Sequence, residues 1–504
     1  MWWAAAVPLA VLLALAHSMA QPYWSNQNQY FAHVLGDRQR ALAQDWLVGT
    51  VDPYPLFTAL AGQVLDVAGI QGLRVWSLGL TAAGILAVGY VARQLSPSRS
   101  LWPSLVAMAV VGLTLSPLIS GGDVPSAYQG LAGQYMLSVP GYVQPASAGV
   151  ALLFSVGIFL RDCDRRDRRS WQGTAAVAAT AAIACAIHPT YAVVVLVGVT
   201  GAAVVDLTLA TRRRLRAYAV VAVSSVTVAI IANPAVASLG SSVTGDGSSL
   251  NRFAFERIPH HTLVTEWNWD EDWLVVLVIA AGAAAVRPLR HGTWIARWLA
   301  ICLMASLAAA VIVWGTLWQS AALPFPWRVT VILMPVALAA LSVRAAELTQ
   351  AGLAIRVPVV RRIVLVGFAL LFSLTALILV QRGLAATRDA PSPAESAAVE
   401  VVARAQPTGV GLVPLNAGNV RLNAGYPVFV DWKSPPYASA DLDEWWRRVD
   451  LVREVQADPE RLCLAEWRQR IDWALLPRQV DVPDCLDDWA ITDGADGWRV
   501  IVEP

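Results

Sequence analysis

Lysine is almost missing from this sequence: Lys433 is the one lysine in 504 residues, and every other basic side chain is arginine. Charge of either sign is scarce. Asp, Glu, Lys and Arg together make up 14%, against about 25% in an ordinary soluble domain, which argues against a soluble enzyme of normal make-up. The formal net charge of +1 leaves no cationic surplus for nucleic acid. Cysteine and histidine are few, at five and six, and none has metal-ligand spacing. No cofactor is therefore expected, and a divalent metal has nothing in the sequence to support it. His260-His261 is the nearest approach to a metal pair, but adjacent residues cannot share one face of a helix. No internal repeat stands out.

What is abundant is apolar. Hydrophobic residues make up 56% of the chain, and mean hydropathy is +0.52 although the last fifth is hydrophilic. Runs of spanning length fall near 4–20, 73–92, 103–119, 146–160, 173–187, 190–210, 217–238, 273–286, 298–318, 329–343 and 363–380. Many of the 22 tryptophans flank them (Trp24, Trp46, Trp102, Trp171, Trp267, Trp273, Trp327), as expected of interfacial rings that are apolar yet carry an N–H seeking water. The fold class expected is an α-helical polytopic membrane bundle of about eleven spans over residues 1–388, with a small α/β domain over 389–504.

The connecting loops alternate in charge. Eighteen arginines fall on five loops: Arg93 and Arg99; Arg161, Arg165, Arg166, Arg168 and Arg169; Arg212, Arg213, Arg214 and Arg216; Arg287, Arg290 and Arg297; Arg344, Arg356, Arg361 and Arg362. The intervening loops hold few: Arg38 and Arg40, none over 120–145, Arg252 and Arg257, and Arg328. Positive loops stay in the cytoplasm. The N-terminus is thus expected inside, in the cytoplasmic membrane, with loops 21–72, 120–145 and 239–272 and the C-terminal domain outside. Ser18-Met19-Ala20 resembles a signal-peptidase site, but no Lys or Arg precedes it, so the first run reads as a retained span.

In the C-terminal part, strands are expected at 409–415, 426–432, 471–477 and 498–504 and a helix at 439–456. Cys463 and Cys485 would face an oxidising compartment, where they could pair.

The unusual polar residues gather on the outer loops. The first carries Asn26, Asn28, Tyr30, His33, Asp37, Asp45 and Asp52; the 120–145 loop carries Asp123, Gln129 and Gln134. His188-Pro189-Thr190 tips a hairpin, the 239–272 loop holds Arg252, Glu256, His260, Glu266 and Asp270, and Arg328 leads into a span. A phosphate would call for arginine and a hydroxyl acceptor for a carboxylate base. Each residue also has a plainer reading: Asp45 and Asp52 as helix caps, His188 as a turn residue, Glu266 and Asp270 as solvated charge, Arg328 reaching toward headgroups.

This layout resembles the GT-C superfamily of membrane glycosyltransferases, which take a sugar from a polyprenyl-phosphate donor. The resemblance implies a lipid-linked sugar donor and an outer-face active site. The family's first-loop acidic pair, followed by Tyr, corresponds here to Asn26-Gln27-Asn28-Gln29-Tyr30. An amide cannot take a proton from a hydroxyl, so Asn26, Gln27 and Tyr30 are left as substrate-binding residues. The base then falls to Asp45, with Asp52 second. Glu266 and Asp270 would assist, Arg252 and Arg328 would hold the donor phosphate, and His188 would be a polar contact. The stretch from Phe429 to Arg448 resembles the tail of uncharacterised bacterial membrane proteins of this general type; Asp431 and Lys433 there read most simply as a structural ion pair. Two other classes compete: a non-catalytic scaffold or glycan-binding protein, favoured by the amides, and a lipid-linked sugar transporter, disfavoured because the spans hold almost no ionisable residue.

Overall fold

The computed structural model describes residues 2–15, 23, 27–97, 99, 101–114, 143–163, 171–209, 214–234, 248–354, 393–494 and 497–504. Asn26, the Ser18-Met19-Ala20 stretch, most of the 120–145 loop and the 363–380 run lie outside them. The chain divides into two compact units, one of residues 1–19, 74–231 and 254–388, the other of residues 20–73, 232–253 and 389–504.

The first unit is helical. Among the described residues of the whole chain, six helices are long and apolar enough to cross a membrane: Pro55–Leu95, Val143–Cys163, Tyr191–Thr208, Leu215–Ala232, Gly292–Thr316 and Gln319–Gln350. Four shorter apolar helices, Trp2–Leu15, Leu101–Gly112, Trp171–Ile187 and Asp272–Val286, cover further expected runs. Large apolar side chains lie on the outer surface of several of these, including Val223, Ile231, Met304, Val311 and Trp314. Such a surface is favourable in lipid and costly in water, so these helices fit a membrane protein.

The Thr330–Ala354 helix is buried along most of its length and packs on Trp269–Val286 and Leu101–Thr114. Gly282 is what permits the first contact. A Cβ there would come within 2.6 Å of the Ala337 Cα, and small residues are how apolar helices approach closely. Hydrogen bonds add to this: Trp2 Nε1 donates to Ser104 Oγ at 2.9 Å, which donates to the Gly89 carbonyl at 2.6 Å. Asp206 is buried, with one oxygen receiving Trp294 Nε1 at 2.8 Å and the other Tyr218 OH at 3.1 Å. It is a structural acceptor.

The Pro55–Leu95 helix belongs to both units and breaks at Gly69, where φ is 57° and ψ is −155°. That region is open almost only to glycine. The first part of this helix therefore completes the loop that precedes it.

The second unit is built around a four-stranded sheet of order β1-β2-β4-β3. The strands are β1 Gly411–Leu412, β2 Trp473–Pro477, β3 Ala490–Asp493 and β4 Trp498–Val502. Strands β1 and β2 run parallel and the other pairs antiparallel. Helix Pro393–Ala405 covers the sheet through Ala398, Val401 and Val402, which join Val413, Val428, Trp473, Leu475 and Val500 in one core. The expected strand at 409–415 shrinks to Gly411–Leu412, and Gly411 lies so close under the Trp473 indole that there is no room for a Cβ. The expected strand at 426–432 is a single bridge, Gly411 to Val428. Beyond it Asp431 turns the chain by accepting the Lys433 N–H at 2.7 Å, and Pro435 and Pro436 have no N–H to offer a ladder. Helix Ser439–Ala457 lies where expected, and Cys463 is disulfide-bonded to Cys485.

Candidate functional site

In the second unit, helix Gln27–Gly36 is buried throughout and packs on helix Asn419–Ala424. Its amides face protein. Asn28 Nδ2 donates to Asn419 Oδ1 at 2.8 Å, and Asn419 Nδ2 passes the link on to Glu395 Oε1 at 2.9 Å. Gln29 Nε2 donates to the Pro435 carbonyl at 3.2 Å. Gln27 is 3% exposed. Tyr30 packs edge-on against Tyr54 and Phe57, and Tyr54 against Tyr437. Among the described residues, the stretch from Gln27 to Tyr30 is therefore a docking seam.

Asp45 is 1% exposed and its carboxylate is fully engaged. Oδ1 accepts the Leu47 N–H at 2.9 Å; Oδ2 accepts Arg421 Nε at 2.7 Å and the Val428 N–H at 2.9 Å. Arg421, also buried, donates from Nη1 to Asp431 Oδ2. Burial alone would lower the arginine's pKa, but Asp431 and Asp45 outweigh it and raise it. Its two oxygens thus already receive three N–H groups, one from a cation, and face protein on every side. The base role expected of Asp45 does not suit this geometry, and the cap reading captures only its bond to Leu47. Asp431 does form an ion pair, but its partner is Arg421.

Asp52 is half-buried, and its Oδ1 accepts the Tyr54 N–H at 2.8 Å just before the Pro55–Leu95 helix. It is the strongest of the carboxylates acting on His33, ahead of Asp37 and Asp45. Burial nevertheless dominates and holds the His33 pKa below its usual value. Arg252 is committed: its two Nη atoms each donate to an Asp450 oxygen at 2.8 Å, and its guanidinium lies 3.9 Å over the Trp446 ring. Its end-on fork is thus taken by a carboxylate, with which a phosphate would have to compete.

In the first unit, His188 and Arg328 are brought together through Thr190. Arg328 Nη1 donates to Thr190 Oγ1, which lies 2.9 Å from His188 Nδ1. The hydroxyl thus links the guanidinium to the imidazole. The Tyr191 ring packs 5.6 Å from the His188 ring, and among the described residues its buried hydroxyl has no hydrogen-bond partner. Glu266 and Asp270 are exposed, on a short turn and on the first turn of the Trp269–Val286 helix. Among the described residues no group of three or more His, Cys, Asp or Glu could hold a metal.

Two cavities in the second unit escape sequence reasoning. One, about 310 Å³, is lined by Glu395, Asn416, Asn419 and Trp498 with Ala398, Ala417 and Val420. The other, about 210 Å³, is lined by Gln44, Trp46, Phe429, Arg447, Arg448 and Arg470 with Val410. Each gathers residues from distant parts of the chain, so no local pattern announces them.

No curated protein matches the chain. Residues 397–452 match a family described as a domain of unknown function (DUF6798), and this stretch carries Arg421, Asp431, Arg447 and Arg448.

Proposed function

We propose that this chain is a polytopic protein of the cytoplasmic membrane that binds glycan on the outer side, through the unit built on residues 389–504. The Arg-rich loops support an inside N-terminus and about eleven spans, and the Cys463–Cys485 disulfide suits an oxidising compartment. The observation that carries the binding reading is the cavity of Glu395, Asn416, Asn419 and Trp498. A sugar offers hydroxyls that donate and accept and a C–H face that is apolar. Carboxylate and amide groups beside an indole match both. Saturation-transfer NMR on the full chain in nanodiscs, with mannose, galactose and N-acetylglucosamine disaccharides, tests it. Signal lost in Trp498→Ala and Asn416→Ala supports the reading; equal signal in both variants sinks it.

A second reading, sugar transfer from a polyprenyl-phosphate donor, is favoured by one observation: Asp52 is half-buried beside His33 and has spent one oxygen on a backbone N–H. In that reading Asp52 is the base. Asp52→Asn would then abolish transfer to an acceptor glycan without loosening the fold.

A further inference from the structure

The smaller cavity of the second unit is chemically unlike the first and shares no lining residue with it. Arg447 and Arg448 are adjacent on helix Ser439–Ala457 and divide one carboxylate. Arg447 donates to Glu444 through Nε and Nη2 at 2.6 Å each, and Arg448 donates Nε to Glu444 Oε1 at 2.7 Å. Those contacts hold the Glu444 pKa down to about 2. Arg470 is exposed and, among the described residues, makes no ion pair. Exposed Glu466 acts on Arg447 and buried Asp45 on Arg448, while Asp45 is itself bonded to Arg421, which it shares with Asp431. The lining itself presents three guanidiniums and no carboxylate, so the wall of the cavity is cationic.

The geometry is also fixed in advance. Arg448 lies 4.5 Å from the Trp46 ring and 4.7 Å from the Phe429 ring, with Nη1 donating to the Phe429 carbonyl at 3.1 Å. A planar fork clamped between two rings loses little further freedom when it binds an anion. Gln44 adds an amide to the same wall.

We propose that the cavity formed by Gln44, Trp46, Phe429, Arg447, Arg448 and Arg470 is a binding site for a phosphate-type oxyanion. Three guanidiniums, two of them on helix Ser439–Ala457 and the third at Arg470, suit a group with oxygens in three dimensions better than a flat carboxylate. A lipid headgroup and a free phosphorylated ligand present the same chemistry.

The test is isothermal titration of the full chain, in nanodiscs of phosphatidylcholine, with inorganic pyrophosphate. Saturable binding is expected, weakened roughly tenfold by Arg470→Gln, the loss of about one charge-assisted hydrogen bond, and further by Arg447→Gln with Arg470→Gln. Arg470 is exposed, so its variant should melt as the wild type does. Repeating the titration in discs containing phosphatidylglycerol separates the sources. A fall in apparent affinity that Arg470→Gln removes assigns the site to headgroups; unchanged affinity assigns it to a soluble phosphorylated ligand. Absence of saturation, or affinity indifferent to both substitutions, overturns the site and leaves the sugar cavity untouched.

Discussion

Asp45 and Arg421 are bonded at 2.7 Å although 376 positions separate them in the chain. The arginine stands between two buried carboxylates, Asp45 and Asp431, so the group carries a net negative charge that backbone N–H groups of Leu47, Val428 and Lys433 offset. This relationship makes the first loop part of the same body as the C-terminal sheet.

Removing the cation should cost far more than removing one anion. Arg421→Ala strands two buried carboxylates and is expected to destabilise the unit by roughly 3–5 kcal/mol. Asp45→Asn leaves a one-to-one pair and should cost about 1–2 kcal/mol. Limited proteolysis and thermal melts would read the order. If Asp45→Asn left stability intact and abolished an activity, the structural assignment of Asp45 would be wrong.

Arg252→Ala should also loosen the second unit, through a different loop. It removes a bidentate pair with Asp450 and a ring contact with Trp446, together about 1–2 kcal/mol given their partial exposure. Arg453 remains 3.4 Å from Asp450 and softens the loss. Arg252→Lys should recover only part, because lysine cannot fork. Full recovery would argue that charge alone matters there.

Acid should weaken this unit in two windows. His33 has a depressed pKa in the fold, so the unfolded chain binds its proton first as pH drops below about 6.5. Stability is then lost from there down to the folded value. Glu444, with a pKa of about 2 against 4.5 unperturbed, contributes stability above 4.5 that fades between 4.5 and about 2. Melting curves across pH should show both slopes, and His33→Gln should flatten the first alone. An unchanged first slope in that variant would assign it to another group.

Cysteine labelling checks the topology. Cys163, partly exposed, should react with a membrane-impermeant maleimide only from the cytoplasmic face. Cys463 and Cys485 should react only after reduction, and only from the outer face. Labelling of Cys163 from outside would invert the whole assignment.

The apolar runs were legible because a helix in lipid must be apolar over its whole length, and each described run is helical. Helix Ser439–Ala457 was legible from its 3.6-residue pattern. Strand β3 was not: Ala490–Asp493 is a mostly exposed edge with no alternation to read. The first loop exposed a limit of another kind. Its polar residues stand out in the sequence, yet Asn28 and Asp45 are bonded to Asn419 and Arg421. A buried polar residue whose partner lies hundreds of positions away looks, in sequence, the same as one awaiting a substrate.

That the second unit is stitched from residues 20–73, 232–253 and 389–504 has a bearing on how the protein is made. At 5–20 residues per second, roughly 20–75 s of translation separate Asp45 from Arg421. For that interval the Gln27–Gly36 helix, with its apolar and amide faces both meant for burial, lacks the Asn419–Ala424 helix that covers it. Assembly of this unit therefore waits for the synthesis of residues 389–504, and a premature stop before them would leave a loop made long before without its partner.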